Sequence, residues 1–245
     1  MKADPFVQAR LLELQALDTR LQQIDHARGR VPQTAALKDA EARLQQVSDD
    51  LVRVETGLTD VRREVDRAEA DVQQVRDRTA RNQSRLDSGQ GTAKDLTALQ
   101  HELESLARRQ SDLEDVEIEV MERQERAEAR LTELTGERDL AQSEVDRLTA
   151  ERDAALAELD AERAEVVRPR EMLAGGIDDA LLALYDRLRE SSGGLAAAEF
   201  AHGRCGGCRL ELNPVDRATI EKAASNEVVR CEECGRILVR TVTTD

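Results

Sequence analysis

Apolar residues recur at alternating steps of three and four from Leu37 to Leu86. They do so again from Leu96 to Val166, with Gly89-Gln90-Gly91 between the two runs. In the first frame thirteen of fifteen positions are apolar, Thr79 and Asn82 being the exceptions; in the second, fifteen of twenty-one are. A frame kept over that length is the pattern of a left-handed coiled coil, in which a narrow apolar seam faces a partner helix. Two glycines in three residues break a helix and permit a reversal. The spacing therefore predicts two arms that pair antiparallel within one chain, with the tip near residues 88–92. Thr92 and Asp95 are placed as a capping box for the returning arm, with Asp where Glu or Gln is usual. Polar seam residues such as Gln110 and Gln124 weaken the packing but help to fix the register.

Composition agrees with this pattern and removes its rivals. Of the 245 residues, 36% are charged and 1% aromatic, with no Trp. A single globule of this length would bury many large rings. Intrinsic disorder is excluded by the 40% of apolar residues and their regular recurrence. The net charge of −15 argues against wholesale binding to nucleic acid or to an anionic membrane, although a local basic patch is compatible with it. Only Lys2, Lys38, Lys94 and Lys222 are lysines among 36 basic residues, a bias toward Arg that points to a GC-rich bacterial genome. No apolar run reaches membrane-spanning length, and the N-terminus lacks a signal-peptide core. A cytoplasmic location, where thiols stay reduced, is the expectation.

The arms have predictable ends. Gly29-Arg30-Val31-Pro32 interrupts the first arm, since Pro suits a first helical turn and disrupts an interior. A short helix over about residues 4–28 carries Leu14, Leu17, Leu21 and Ile24 at seam spacing and is expected to pack near Leu159 and Val166. The returning arm is expected to end at Arg168-Pro169, because the residue before a proline avoids helical dihedrals. After Pro169 the spacing predicts a helix over 177–190, a strand over 195–201 and a short helix capped by Asn213 with Pro214 in its first turn. Short strands are expected at 228–229 and 237–239. The fold class is therefore mostly α: a long antiparallel coiled-coil hairpin, residues 1–170, followed by residues 171–245 as a connecting helix and a small C-terminal domain.

All four cysteines lie in that last segment, as Cys205-Gly-Gly-Cys208 and Cys231-Glu-Glu-Cys234. Each C-x-x-C pair places two sulfurs on one metal, and two pairs complete a tetrahedral four-thiolate zinc shell. Four thiolates leave no coordination position for water or substrate, so the expected Zn²⁺ is single and structural. It replaces a core that so short a segment cannot build. A redox role is the weaker reading, because two pairs at ribbon spacing favour metal. His202, three residues before Cys205, is a minor competitor as ligand.

The segment Lys94-Asp95-Leu96-Thr97-Ala98-Leu99-Gln100-His101-Glu102-Leu103 resembles the tip region of the bacterial four-cysteine zinc-ribbon family with an N-terminal coiled-coil hairpin. Leu184-Tyr185, the Cys205/Cys208 knuckle and Cys231-x-x-Cys234-Gly235-Arg236-Ile237-Leu238 resemble its C-terminal half. The resemblance covers essentially the whole chain. It implies protein partners in transcription, including an alternative sigma factor, and in flagellar or type III secretion systems. It also implies RNA binding through the ribbon. Glu232-Glu233 departs from the family's usual Pro and neutral residue and makes this knuckle more acidic.

No catalytic constellation is visible: there is no Gly-rich phosphate loop and no nucleophile with a placed base. The numerous carboxylates sit on exposed helix faces paired with Arg. The expected function is that of a non-enzymatic adaptor for protein partners, with the transcription machinery as the leading candidate, acting as a monomer or weak dimer. The alternative is an RNA- or DNA-binding regulator acting through the ribbon. Residues 201–245 hold seven basic and seven acidic residues, and Arg204, Arg209, Arg230 and Arg236 flank the knuckles as candidate partner-binding residues. Tyr185, Phe200, Ile237 and Leu238 are the candidate apolar anchors beside them. A third class, hairpins whose acidic tip enters RNA polymerase, fits less well. Asp87 and Asp95 flank the tip here, but its centre is Gly-Gln-Gly.

Overall fold

The computed structural model describes residues 1–240; Asp245, counted above among the acidic residues, lies outside them. The chain forms helices α1 (Pro5–Arg28), α2 (Pro32–Asp87), α3 (Ala93–Ala174), α4 (Asp179–Ser191) and α5 (Pro214–Lys222). Its strands are β1 (Ala197–Ala201), β2 (Arg204–Cys205), β3 (Val229–Arg230) and β4 (Ile237–Arg240). It divides into two compact units, Ala35–Thr149 and Met1–Thr34 with Ala150–Asp245. No described helix is long and apolar enough to cross a membrane.

The unit formed by Ala35–Thr149 is the paired part of the hairpin. Every heptad position named by the two frames is buried or half-buried there, the polar Asn82, Gln110 and Gln124 included. Val47 and Leu51 of α2 pack against Leu134 of α3, and Val65 and Ala68 pack against Val120. Arg62 pairs with Glu128 at 2.8 Å, Glu64 with Arg123 at 2.7 Å and Arg76 with Glu114 at 2.7 Å. Numbers rise along one arm as they fall along the other, so the pairing is antiparallel and within one chain. These ion pairs are exposed and screened by solvent, so the seam supplies the stability and the pairs refine the register.

The tip follows from local chemistry. Gly89 and Gly91 adopt φ of 64° and 132°, which a side chain would strain. The Thr92 amide donates to Asp95 Oδ2 at 2.9 Å, and the Asp95 amide donates to Thr92 Oγ1 at 3.3 Å. This reciprocal cap starts α3, and the Thr92 donors hold the Asp95 carboxyl below its usual range.

In the other unit a four-stranded sheet of order β2-β1-β4-β3 is buried on both faces. β1 and β4 are parallel, and the outer pairs are antiparallel. Alternation sorts the side chains. Ala197, Ile237 and Val239 meet Leu11 and Leu14 of α1 and Leu181, Tyr185 and Leu188 of α4. Ala198, Phe200 and Leu238 face the other way, toward Ile220 of α5 and two of the cysteines. The expected strands and the helix capped by Asn213 are present, Asn213 Oδ1 accepting from the amides of Val215 and Asp216.

Three features differ from the sequence-based expectation. First, α3 does not stop at Arg168-Pro169 but runs through Pro169 to Ala174, so the expected boundary at residue 170 falls inside a helix. A proline within a helix costs about 3 kcal/mol. The helix is retained because Arg170 is tied to Asp18 of α1 at 3.0 Å and Ala174 enters the core. Second, α1 meets the end of α3 as expected, through Arg20–Glu162 and Asp25–Arg163 contacts, but it also packs under the sheet. Third, the N-terminal segment pairs with residues 226–228, the Ala3 amide donating to the Asn226 carbonyl at 2.8 Å.

Candidate metal centre

The two C-x-x-C segments fold into the same turn. The Cys205 carbonyl accepts from the Arg209 amide at 2.8 Å, and the Cys231 carbonyl accepts from the Gly235 amide at 2.8 Å. The Cys205 amide donates to the Leu210 carbonyl, and the Cys231 amide donates to the Arg236 carbonyl. Both turns need a left-handed residue after the second cysteine: Gly235 has φ 71° and Arg209 has φ 63°. β2 leads into the first knuckle after a two-residue turn at His202 and Gly203, both at positive φ, which is the hairpin geometry that matches strand twist.

This folding brings the four sulfurs of Cys205, Cys208, Cys231 and Cys234 within 4.8 Å of one another. The Cys205–Cys234 and Cys208–Cys231 sulfur separations are 3.8 and 3.9 Å. Four zinc–sulfur bonds of about 2.3 Å in a tetrahedron require sulfurs about 3.8 Å apart. The donor set therefore fits one Zn²⁺, held by all four thiolates with no open position. His202 is exposed and is not part of the cluster.

The knuckle amides are aimed at sulfur. Burial pushes the Cys205 thiol up, against the opposing pull of the Cys208 and Gly207 amides. Burial likewise pushes Cys231 up to about 12. At Cys234 burial also raises the value, but the Arg236 amide and side chain and the neighbouring thiols overcome it and bring the group down to about 7. Bound zinc supplies the charge that holds all four as thiolates. Gly207 makes room for this arrangement, since a Cβ there would lie 2.8 Å from Arg236 Cδ.

The four candidate arginines have different surroundings. Arg236 is half-buried and donates to the carbonyls of Leu195 at 2.8 Å and Ser192 at 3.2 Å. Arg230 is exposed, and its Nε donates to the Gly235 carbonyl at 2.7 Å. Arg204 is exposed beside Glu211 at 3.6 Å. Arg209 is exposed and makes no ion pair among the described residues. The expected apolar anchors are not available at the surface. Tyr185, Ile237 and Leu238 are fully buried and Phe200 is nearly so, because the sheet is covered on both faces. Among the described residues, Leu210 and Val215 are the large apolar side chains exposed here.

Residues 14–193 match the CT398-like coiled coil hairpin domain, and residues 204–238 match the C4-type zinc ribbon domain. This chain belongs to the CT398-like hairpin family. An uncharacterized protein of Mycobacterium tuberculosis (strain H37Rv) is 39% identical over 240 residues, covering 98% of each chain. A solved structure from Mycobacterium smegmatis is 37% identical, with a TM-score of 0.86 over 98% of this chain and 100% of that one. The structure of CT398 from Chlamydia trachomatis aligns with a TM-score of 0.71 at 18% identity, over 96% of this chain and 98% of that one, and shares the fold.

In this CT398-like chain the sequence did not reveal a buried polar cluster on α1. Gln15 Oε1 accepts from the Ala196 and Ala197 amides at 2.6 and 3.2 Å, and its Nε2 donates to the Gly194 carbonyl at 2.8 Å. Gln8 Nε2 donates to the Ala3 carbonyl at 2.9 Å. These side chains satisfy backbone groups at the edge of β1 and in the N-terminal segment. The available signal was Leu11, Leu14, Gln15 and Asp18 at i, i+3, i+4 and i+7, one helical face with polar members.

Proposed function

We propose that the chain is a non-enzymatic binding protein whose zinc ribbon docks a protein partner, with the transcription machinery as the first candidate. The observation that carries this reading is the first knuckle. Arg209 occupies a left-handed position that its twin gives to glycine, and it is exposed beside exposed Leu210, with no ion pair among the described residues. A non-glycine residue at such a φ costs about 1 kcal/mol or more, and such costs concentrate at functional sites. Arg230 directs a donor at a ribbon carbonyl and Arg236 directs its donors at carbonyls of the loop between α4 and β1, so the partner contact falls chiefly to Arg204 and Arg209. Residues 35–149 then serve as the arm, and the unit that holds the ribbon, α1 and α4 serves as the docking head. The link to transcription comes from the family resemblance. The reading includes a cytoplasmic protein, monomeric or weakly dimeric.

The exposed Arg209 also supports the alternative, RNA or DNA binding through the ribbon. Against it stand exposed Glu232 and Glu233 and the absence of an exposed Phe, Tyr or Trp on the described ribbon. A crosslinking pull-down from the native cell, with the full chain and with Arg204→Ala/Arg209→Ala, tests the reading. Zinc-dependent capture of a transcription protein by the full chain alone supports it. Equal capture by the variant refutes the ribbon's role, and a salt-sensitive RNA or DNA shift in place of protein capture favours the alternative.

A further inference from the structure

One position of the coiled-coil seam is not satisfied by its own helix pair. Asn82 of α2 is 7% exposed, and its Nδ2 has no acceptor within hydrogen-bond distance. Leaving such a donor unmade is unfavourable, whereas Leu or Val at a seam position has no such penalty. Across the seam Asn82 faces Glu102 of α3. It lines an open groove of about 640 Å³ between the two arms near their tip.

The same groove is lined by Arg78, Arg81, Arg85 and Arg109, with Glu102 as its one carboxylate. Glu102 is already engaged, accepting from Arg78 Nε at 2.9 Å. Its carboxyl is held below the usual range first by the Arg78 side chain and then by the Asn82 side chain. Among the described residues Arg81, Arg85 and Arg109 make no ion pair; Arg85 acts on Glu102 and Asp95 only at longer range. A chain of net charge −15 thus places three uncommitted guanidinium groups and a buried, unsatisfied amide donor around one groove.

We propose that this groove binds an acidic protein segment, its carboxylates paired with Arg81, Arg85 and Arg109 and one oxygen accepting from Asn82 Nδ2. Guanidinium forks match carboxylates in geometry and charge. Nucleic acid is the poorer fit. Useful affinity for a phosphate backbone takes several contacts, and residues 35–149 contain no Phe, Tyr or Trp on which a base can stack. The proposal is independent of the ribbon reading, since it rests on α2 and α3 alone.

The test uses the zinc-loaded full-length protein and a fluorescein-labelled peptide of alternating Glu and Leu, read by fluorescence anisotropy at low salt. The peptide is expected to bind, and its Gln-for-Glu counterpart is not. Arg85→Ser and Arg109→Ser should each weaken binding roughly tenfold, and added salt should do the same. Asn82→Leu should lower peptide affinity while keeping or raising the melting temperature, a combination that a purely structural role does not produce. The proposal is overturned if the acidic peptide fails to bind or the Arg81→Ser/Arg85→Ser/Arg109→Ser variant binds it as well as the parent. It is equally overturned if an oligothymidylate binds more tightly through the same arginines.

Discussion

The phenolic hydroxyl of Tyr185 on α4 donates to the carboxylate of Asp18 on α1 at 2.8 Å. Asp18 also accepts from Arg170 of α3 at 3.0 Å and Arg189 of α4 at 2.7 Å, with its side chain 1% exposed. One buried carboxylate thereby joins three helices. Its charge is tolerated because three donors replace the water it has lost.

Asp18→Ala leaves the Tyr185 hydroxyl and two guanidinium groups without their common acceptor. Losing one partner of a buried pair costs 3–5 kcal/mol, and the partial exposure of both arginines places this case near the lower end, at about 3 kcal/mol. Asp18→Asn, which keeps the shape and one acceptor, should cost less. Urea unfolding of the full-length protein measures both, and a loss below about 1 kcal/mol for Asp18→Ala would show that the cluster is not a stabilising centre.

Tyr185→Phe should cost about 1.5 kcal/mol near neutral pH, the worth of one hydrogen bond to a charged acceptor. Burial first, and then the hydrogen bond to Asp18, raise the Tyr185 pKa above its ordinary value of 10.0. A raised pKa means that the folded state favours the protonated phenol. Its contribution is complete below pH 10 and is lost as pH rises through the folded value. The stability gap between the parent and Tyr185→Phe should therefore narrow above about pH 10; a constant gap would contradict the buried donor.

Removal of zinc, or Cys231→Ser, should unfold the ribbon and leave most of the helical signal. The sheet face packed on Leu11 and Leu14 makes the effect extend to α1. Hydrogen exchange should accelerate across residues 197–240 and α1, while residues 35–149 keep their protection. Zinc uptake should release protons from Cys205 and Cys231, whose thiols burial raises, so affinity should fall as pH falls. Protection of the ribbon that does not depend on zinc would overturn the four-thiolate assignment.

Arg209→Gly supplies the residue that the left-handed backbone favours, as in the second knuckle. Zinc content should be unchanged and the ribbon stabilised by about 1 kcal/mol. Partner capture should fall nonetheless. A variant that gains stability and keeps full capture would leave the first knuckle without the proposed role.

The hairpin was legible because heptad spacing is a local property of the chain. Leu51, Leu58, Val65 and Val72 recur at the helical period, and two glycines mark the reversal. The zinc shell was legible for a similar reason: two C-x-x-C turns bring their own sulfurs together whatever surrounds them. The helix continues past Pro169 because proline's cost is local, whereas the gain from Arg170 and Ala174 depends on where α1 and the core lie. The burial of the apolar side chains has a related reason. Tyr185, Ile237 and Leu238 are apolar in any context, but only the sheet's packing on α1 and α4 and on α5 determines that they are interior. Asp18 and Gln15 look like ordinary polar helix residues. Tertiary structure made one the common acceptor of Tyr185, Arg170 and Arg189 and the other the cap of β1, because burial and partner geometry arise from segments distant in sequence.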